Sequence, residues 1–141
     1  MKMVFADTVY WVAVSKPGDQ WQQAAGEAKS RLGAVRLLTT DEVLTEFLTI
    51  LGQGGPHLRS QAVDMVKQIL NTTDVKVLPQ TRDSFIRGLN FYGQRLDKQY
   101  SLTDCISMCG MRAESVSEIL TIDRHFEQEG FTILMKRGTP Q

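Results

Sequence analysis

The chain has 141 residues, a length that suits one domain with its own core, and we predict a single domain over residues 1–141. Its 16 basic and 16 acidic side chains balance, so the overall positive charge of many nucleic-acid-binding proteins is missing. The sequence also lacks an apolar stretch of about 20 residues and the N-terminal features of a signal peptide. We therefore predict a cytoplasmic protein with no membrane-spanning segment.

Short apolar runs alternate with helical patterns along the chain, which predicts an α/β fold with a parallel sheet covered by helices. The predicted strands cover residues 3–6, 35–38, 75–78, 117–121 and 131–135. Helices are predicted over residues 8–14, 19–32, 40–51, 57–70, 79–96, 102–112 and 123–129. Thr39 and Glu42 have the spacing of a capping box at the start of the third helix.

Acidic residues lie where the predicted strands end. Asp7 ends the first strand, and Asp123 follows the strand over 117–121. Glu46 lies one turn into the third helix, and Asp104 lies in the first turn of the helix over 102–112. Ligand sites of open parallel sheets lie outside the carboxyl ends of the strands, and right-handed crossovers would bring these helix starts to the same edge. We therefore expect the four carboxylates to face one another.

Each acid also has a purely structural interpretation. Asp7 and Asp123 could cap the helices that follow them, and Asp104 completes a capping box with Ser101. Glu46 could be a solvated helix residue. These interpretations remain open for each acid taken singly.

Taken together, four clustered carboxylates would raise one another's pKa, and a divalent cation would remove that penalty. Carboxylate ligands favour Mg²⁺ or Mn²⁺ over softer metals, and we expect neither His nor Cys beside them. Two such ions about 4 Å apart can activate water and stabilise the leaving oxygen of a phosphodiester. The hydroxyls of Thr8 and Thr121 could orient the carboxylates.

Four short motifs occur in the same order and at similar spacing as in the PIN domains of VapC-like toxins. They read Ala6-Asp7-Thr8, Val43-Leu44-Thr45-Glu46, Ser101-Leu102-Thr103-Asp104, and Thr121-Ile122-Asp123-Arg124-His125-Phe126 followed by Gly130-Phe131. The chain resembles this family over nearly its whole length, although residues 53–95 carry no motif that we can match.

The resemblance implies a three-layer α/β/α sandwich with a central parallel sheet and RNA cleavage that depends on Mg²⁺ or Mn²⁺. It assigns Asp7, Glu46, Asp104 and Asp123 as catalytic and metal-binding residues. It also implies a homodimer and a cognate antitoxin partner, and we expect Trp11, Phe91 and Tyr92 to help form the dimer or the core.

Two other functions are compatible with the pattern. A phosphohydrolase of another α/β class also places an acid after the first strand, but one such class requires Asp-x-Asp where this chain has Asp7-Thr8-Val9. A non-catalytic PIN-fold module that binds RNA or protein would keep the same elements.

Several side chains outside the acidic motifs could contact RNA, although a solvated helix face or packing would explain them equally. Basic residues precede Asp104 and could line an RNA path; they are Arg82, Arg87, Arg95 and Lys98. Aromatic residues could stack on bases; they include Tyr100 besides the three named above. His125 could contact a phosphate or pack at a helix start.

Overall fold

A computed structural model describes residues 1–136, and in this range five parallel strands form one sheet. The strands are β1 (Met3–Ala6), β2 (Arg36–Thr40), β3 (Val75–Leu78), β4 (Glu118–Leu120) and β5 (Thr132–Ile133). The helices in the same range are α1 (Thr8–Ser15), α2 (Gln22–Leu32), α3 (Asp41–Gly52), α4 (Pro56–Asn71), α5 (Arg82–Gly93), α6 (Leu102–Ala113) and α7 (His125–Gln128). The predicted α/β alternation with a parallel sheet is confirmed.

The strand order β3-β2-β1-β4-β5 places β1 at the centre of the sheet. Strands β2 and β3 are added in turn on one side of β1, and the chain then crosses over so that β4 and β5 are added on its other side. The direction of building therefore reverses between β1 and β4, and open α/β sheets bind ligands beside this point, at the carboxyl ends of the strands. The Asp7 N–H donates to the Leu120 carbonyl at 3.2 Å and so joins the ends of both strands.

Apolar burial explains why β1 occupies the centre. Val4, Phe5 and Ala6 are all fully buried, as expected of a parallel strand covered by helices on both faces. Met108 and Met111 of α6 are equally buried, as is Phe126 of α7. The predicted α/β/α sandwich is thus confirmed, and its core holds the strand ends in fixed positions.

The start of α3 differs from the sequence prediction. Strand β2 continues through Thr40, which pairs with Leu78 of β3, and Thr40 is the N-cap, its hydroxyl accepting from the Val43 N–H at 3.1 Å. The Thr39 hydroxyl is buried instead and donates to the Ala6 carbonyl at 3.0 Å. The predicted capping box of Thr39 and Glu42 is therefore wrong, because the strand is longer than its apolar run.

Helix α5 is shorter than the predicted helix over residues 79–96. It begins only after Thr81, which forms a capping box with Ser84. The backbone before α5 is bound to α3 instead, since the Gln80 N–H donates to Asp41 Oδ2 at 2.7 Å.

No helix in residues 1–136 is long and apolar enough to cross a membrane.

Most of the aromatic residues noted in the sequence pack inside the chain. Trp11, Phe91 and Tyr100 are 4%, 7% and 4% exposed, whereas Tyr92 is 47% exposed. Trp11 and Phe91 therefore belong to the core, so neither supports a dimer or base stacking. Homodimerisation stays a prediction that rests on the family resemblance. Cys105 and Cys109 are free thiols.

Two glycines of α5 allow a matched test of how tightly α5 packs on α6. A Cβ on Gly88 would overlap Ile106 Cγ1 and approach the Ile106 Cα to 3.4 Å, whereas one on Gly93 would meet nothing within 4 Å. Gly88→Ala should lower the free energy of unfolding by about 1–3 kcal/mol through overpacking. Gly93→Ala should be neutral or slightly stabilising. Urea denaturation of both variants measures this, and equal stabilities would contradict the packing.

Candidate active site

All four acids singled out from the sequence line one cleft at the carboxyl end of the sheet. The cleft has a volume of about 890 Å³. Asp7 stands between β1 and α1, Glu46 lies on α3, Asp104 lies in the first turn of α6, and Asp123 lies between β4 and α7. The parallel topology thus brings together side chains that are separated by up to 116 positions, from 7 to 123.

Asp7 is an almost fully buried acid whose carboxylate has no capping role. The residue occupies the N-cap position of α1, but its side chain makes no capping hydrogen bond. Its Oδ2 instead accepts a hydrogen bond of 2.9 Å from the hydroxyl of Thr121, which is also buried. The structural interpretation of Asp7 as a helix cap therefore does not account for its carboxylate.

Glu46 is held from the neighbouring helix. The Thr8 hydroxyl, in the first turn of α1, donates to Glu46 Oε1 at 2.6 Å. Thr8 and Thr121 therefore orient two of the acids, as the sequence predicts. Because this bond joins α1 to α3, Glu46 is not simply a solvated helix residue.

In Asp104 and Asp123, one carboxylate oxygen accepts a hydrogen bond from a nearby backbone N–H. Asp104 Oδ2 accepts from the Ser101 N–H at 3.2 Å and completes the predicted capping box. Asp123 Oδ1 accepts from the His125 N–H at 2.9 Å. Within residues 1–136, the second oxygen of each carboxylate accepts no hydrogen bond, so it is available to a ligand.

His125 lies against these two acids, contrary to the expectation that no histidine stands beside them. Its Nδ1 is 3.3 Å from Asp123 Oδ1 and 3.8 Å from Asp104 Oδ2, and this nitrogen is buried without a hydrogen bond. One ligand atom from each of these three residues lies within 4.8 Å of the others; in the described range, Asp7 and Glu46 are outside this group. The sequence signal was present, since His125 follows Asp123 by two positions.

The site is electrostatically unfavourable as it stands. Burial, aided by the charges of Asp104 and Glu46, raises the pKa of the Asp7 carboxyl to about 7, although hydrogen bonds from the Thr8 backbone and the Thr121 side chain oppose the rise. Burial also raises the pKa of Asp104, with contributions from Asp123 and Glu46. A divalent cation would offset both the burial and the repulsion, so the donor set fits such an ion.

The basic residues proposed from the sequence do not line this cleft. Arg95 pairs with Glu129 at 2.9 Å, Arg87 pairs with Asp83 at 3.0 Å, and Arg82 lies over the Phe85 ring. Lys98 lies 3.8 Å from Asp97. Residues at the cleft that sequence reasoning overlooked include Asp19, Trp21 and Arg124. Trp21 falls within the predicted helix over residues 19–32 and Arg124 within the fourth motif, and neither pattern marks a side chain as part of a site.

Comparison with known proteins agrees with this fold. The curated protein 23S rRNA-specific endonuclease VapC20 of Mycobacterium tuberculosis, found for two strains, is 28% identical over 132 residues, which cover 92% of this chain and 95% of the relative. The crystal structure of the same organism's VapC20, described as a Sarcin-Ricin loop cleaving toxin, superposes with a TM-score of 0.82 at 23% identity, covering 94% and 99% of the two chains. The chain has a VapC-like PIN fold. No family model matches it.

The resemblance predicted from four motifs is therefore confirmed over almost the full VapC-like length. The match spans nearly the whole relative.

The raised pKa of Asp7 predicts a particular pH dependence of stability in metal-free buffer. Between its ordinary value of 3.8 and about 7, the folded protein keeps a proton that the unfolded chain has lost. Stability should therefore fall as the pH rises through this window. Asp7→Asn cannot ionise, so the fall should be shallower by up to about 1.4 kcal/mol per pH unit.

Urea denaturation in EDTA across this window provides the measurement. Asp64→Asn is the matched control, because Asp64 is exposed on α4 and lies outside the cleft. An Asp7→Asn variant with the same pH slope as the wild type would show that the Asp7 carboxylate is not buried as described.

Proposed function

We propose that this chain is an endoribonuclease that hydrolyses RNA phosphodiesters with Mg²⁺ or Mn²⁺. The observation that carries the proposal is the acidic cleft lined by all four predicted acids and by Asp19, in which burial and repulsion from Asp104 and Glu46 raise the pKa of Asp7 to about 7. Cation binding would relieve this cost. The similarity to VapC20, which is named as a 23S rRNA-specific endonuclease, supports RNA as the substrate.

We assign Asp7, Glu46, Asp104 and Asp123 as the residues that would hold the metal. When bound, a divalent cation supplies an activated water and stabilises the developing charge of the leaving oxygen. The protein's own contribution is orientation. Thr121 fixes the Asp7 carboxylate, and Thr8 fixes Glu46, so two ligands are already placed before RNA arrives.

His125 has a positioning role in this proposal. Its backbone N–H holds one oxygen of Asp123, and its Nδ1 faces both Asp123 and Asp104. This contact limits the orientations of the two carboxylates on the α7 side of the cleft.

The resemblance extends the proposal to a toxin with an antitoxin partner and a homodimeric assembly. A non-catalytic RNA- or protein-binding module is the second candidate, since acids alone do not guarantee turnover. The preoriented carboxylates favour the enzyme, because a module that only binds RNA phosphates has no use for clustered negative charge.

RNA cleavage tests the enzyme directly. The wild type should cut ribosomal RNA with Mg²⁺ or Mn²⁺ and stop in EDTA. Asp7→Asn should be slower by roughly 100-fold or more, since one lost preorganised electrostatic contact costs about 3 kcal/mol. Asp104→Asn and Asp123→Asn should behave alike, with Glu46→Gln somewhat less impaired.

Asp64→Asn, remote from the cleft, should cleave as the wild type does. Thermal melting without metal accompanies each assay, and Asp7→Asn should melt no lower than the wild type. Acid variants that melt lower but cleave normally would show that these side chains are helix caps, and the ribonuclease proposal would be rejected.

Growth measurements test the toxin proposal. Expression of the chain alone should slow growth, whereas Asp7→Asn at equal abundance should be harmless because the carboxylate site is impaired. Asp64→Asn serves as the toxic control. Equal growth arrest by wild type and Asp7→Asn would show that toxicity does not come from the carboxylate cleft.

A further inference from the structure

Trp21 forms a wall shared by two adjoining clefts. It precedes α2 as its N-cap, and its backbone N–H donates to Asp19 Oδ2 at 2.9 Å, which fixes the turn that presents the indole. On one side it lines the carboxylate cleft. On the other it lines a cleft of about 720 Å³ that runs along β5. Ile122 and Arg124 belong to both walls as well.

Arg124 carries a positive charge to the border between these clefts. It stands between the two residues Asp123 and His125 of the acidic site, and it is exposed. Its guanidinium makes no ion pair or hydrogen bond within residues 1–136, unlike Arg95, which is engaged by Glu129. Lys136 and the acid Glu127 also line the second cleft. Cations at these positions would hold the backbone of a polyanion that the carboxylates alone repel.

We propose that the two clefts form one path for single-stranded RNA, with a nucleotide subsite at Trp21 and Arg124 next to the cleaved phosphodiester. The base of that nucleotide stacks on the Trp21 indole, and Arg124 contacts its phosphate. The inference rests on the proposed ribonuclease function and deepens it by naming how the substrate strand is held.

The residues that line the two clefts favour single-stranded RNA as the ligand. Single strands are bound by an aromatic platform beside a basic track, because every base offers a stacking face. A paired helix buries its bases, so it could not present one to Trp21. The cleft volumes, about 890 and 720 Å³, fall in the range of small-molecule sites, roughly 300–1,000 Å³, and thus each has room for a nucleotide. The subsite therefore requires an unpaired nucleotide beside the cleaved bond.

Tryptophan fluorescence tests RNA binding with Trp21 still in place, because the Trp21 indole is itself the probe. The chain contains two tryptophans; Trp11 is 4% exposed and its Nε1 donates to the Thr39 hydroxyl at 3.4 Å, so a change in emission on RNA binding reports on Trp21. A single-stranded oligoribonucleotide added to Asp7→Asn protein in EDTA should quench the emission, and its fully paired duplex should not. Trp21→Phe should abolish the change. Absence of quenching, or equal quenching by the duplex, would overturn the subsite.

Kinetics separate this subsite from the catalytic proposal. Trp21→Ala should raise KM roughly tenfold, as expected from losing one base stack, with little change in kcat, and Trp21→Phe should restore most of the loss. Arg124→Ala should raise KM and weaken its salt dependence, while Arg82→Ala, exposed on α5 away from both clefts, should match the wild type.

Unchanged KM values for both Trp21 variants and Arg124→Ala would overturn the subsite while leaving the ribonuclease intact. A wild type that binds RNA with quenching but never cleaves it would instead reject the proposed function and leave the RNA path standing.

Discussion

Burial of the Asp7 carboxylate at the end of β1 is the constraint on which the site depends. The central strand must be apolar to pack between two layers of helices, and the chain leaves it directly into an acid that is only 8% exposed. The hydroxyl of Thr121, which directly follows β4, donates a hydrogen bond to one oxygen of this carboxylate. The remaining cost keeps the pKa of this carboxyl near 7, so the protein holds an arrangement that a bound cation would stabilise. Two further contacts lie around this carboxylate. One is the hydrogen bond from Thr8 of α1 to Glu46 of α3, and the other is the capping box at the start of α6.

The sheet and the acids could be predicted from the sequence because both follow from local patterns and one topological rule. Apolar runs such as 3–6 and 75–78 have the bounds of the observed strands, and parallel order brings their carboxyl ends together. The N-cap of α3 was misplaced since Thr39 and Thr40 are equivalent locally, and only pairing of Thr40 with Leu78 decides between them. Similarly, the start of α5 depends on a distant contact. The Gln80 N–H, just before the helix, donates to Asp41, which lies 39 positions earlier in the chain.

The side chains around the acids were harder to predict because their roles depend on orientation. His125 had an obvious place in a motif, but the motif does not say that its Nδ1 turns toward Asp104 and Asp123. Basic residues counted along the chain were equally ambiguous. Arg95 and Arg112 both engage Glu129, and these bonds, chiefly that of Arg95, lower the pKa of that carboxyl to about 2. Charge that sequence alone would assign to RNA is thereby used to fasten the α5–α6 region to the end of α7.

The distribution of the four acids along the chain also has a consequence for when activity can begin. Asp7 directly follows β1, whereas Asp123 lies 116 positions later, beyond α6 and β4. No short segment of the chain carries all four acids. In addition, β4 must pair with β1 before the Thr121 hydroxyl can reach the Asp7 carboxylate. A growing polypeptide therefore cannot assemble the cleft with all four acids until β4 and Asp123 have been synthesised.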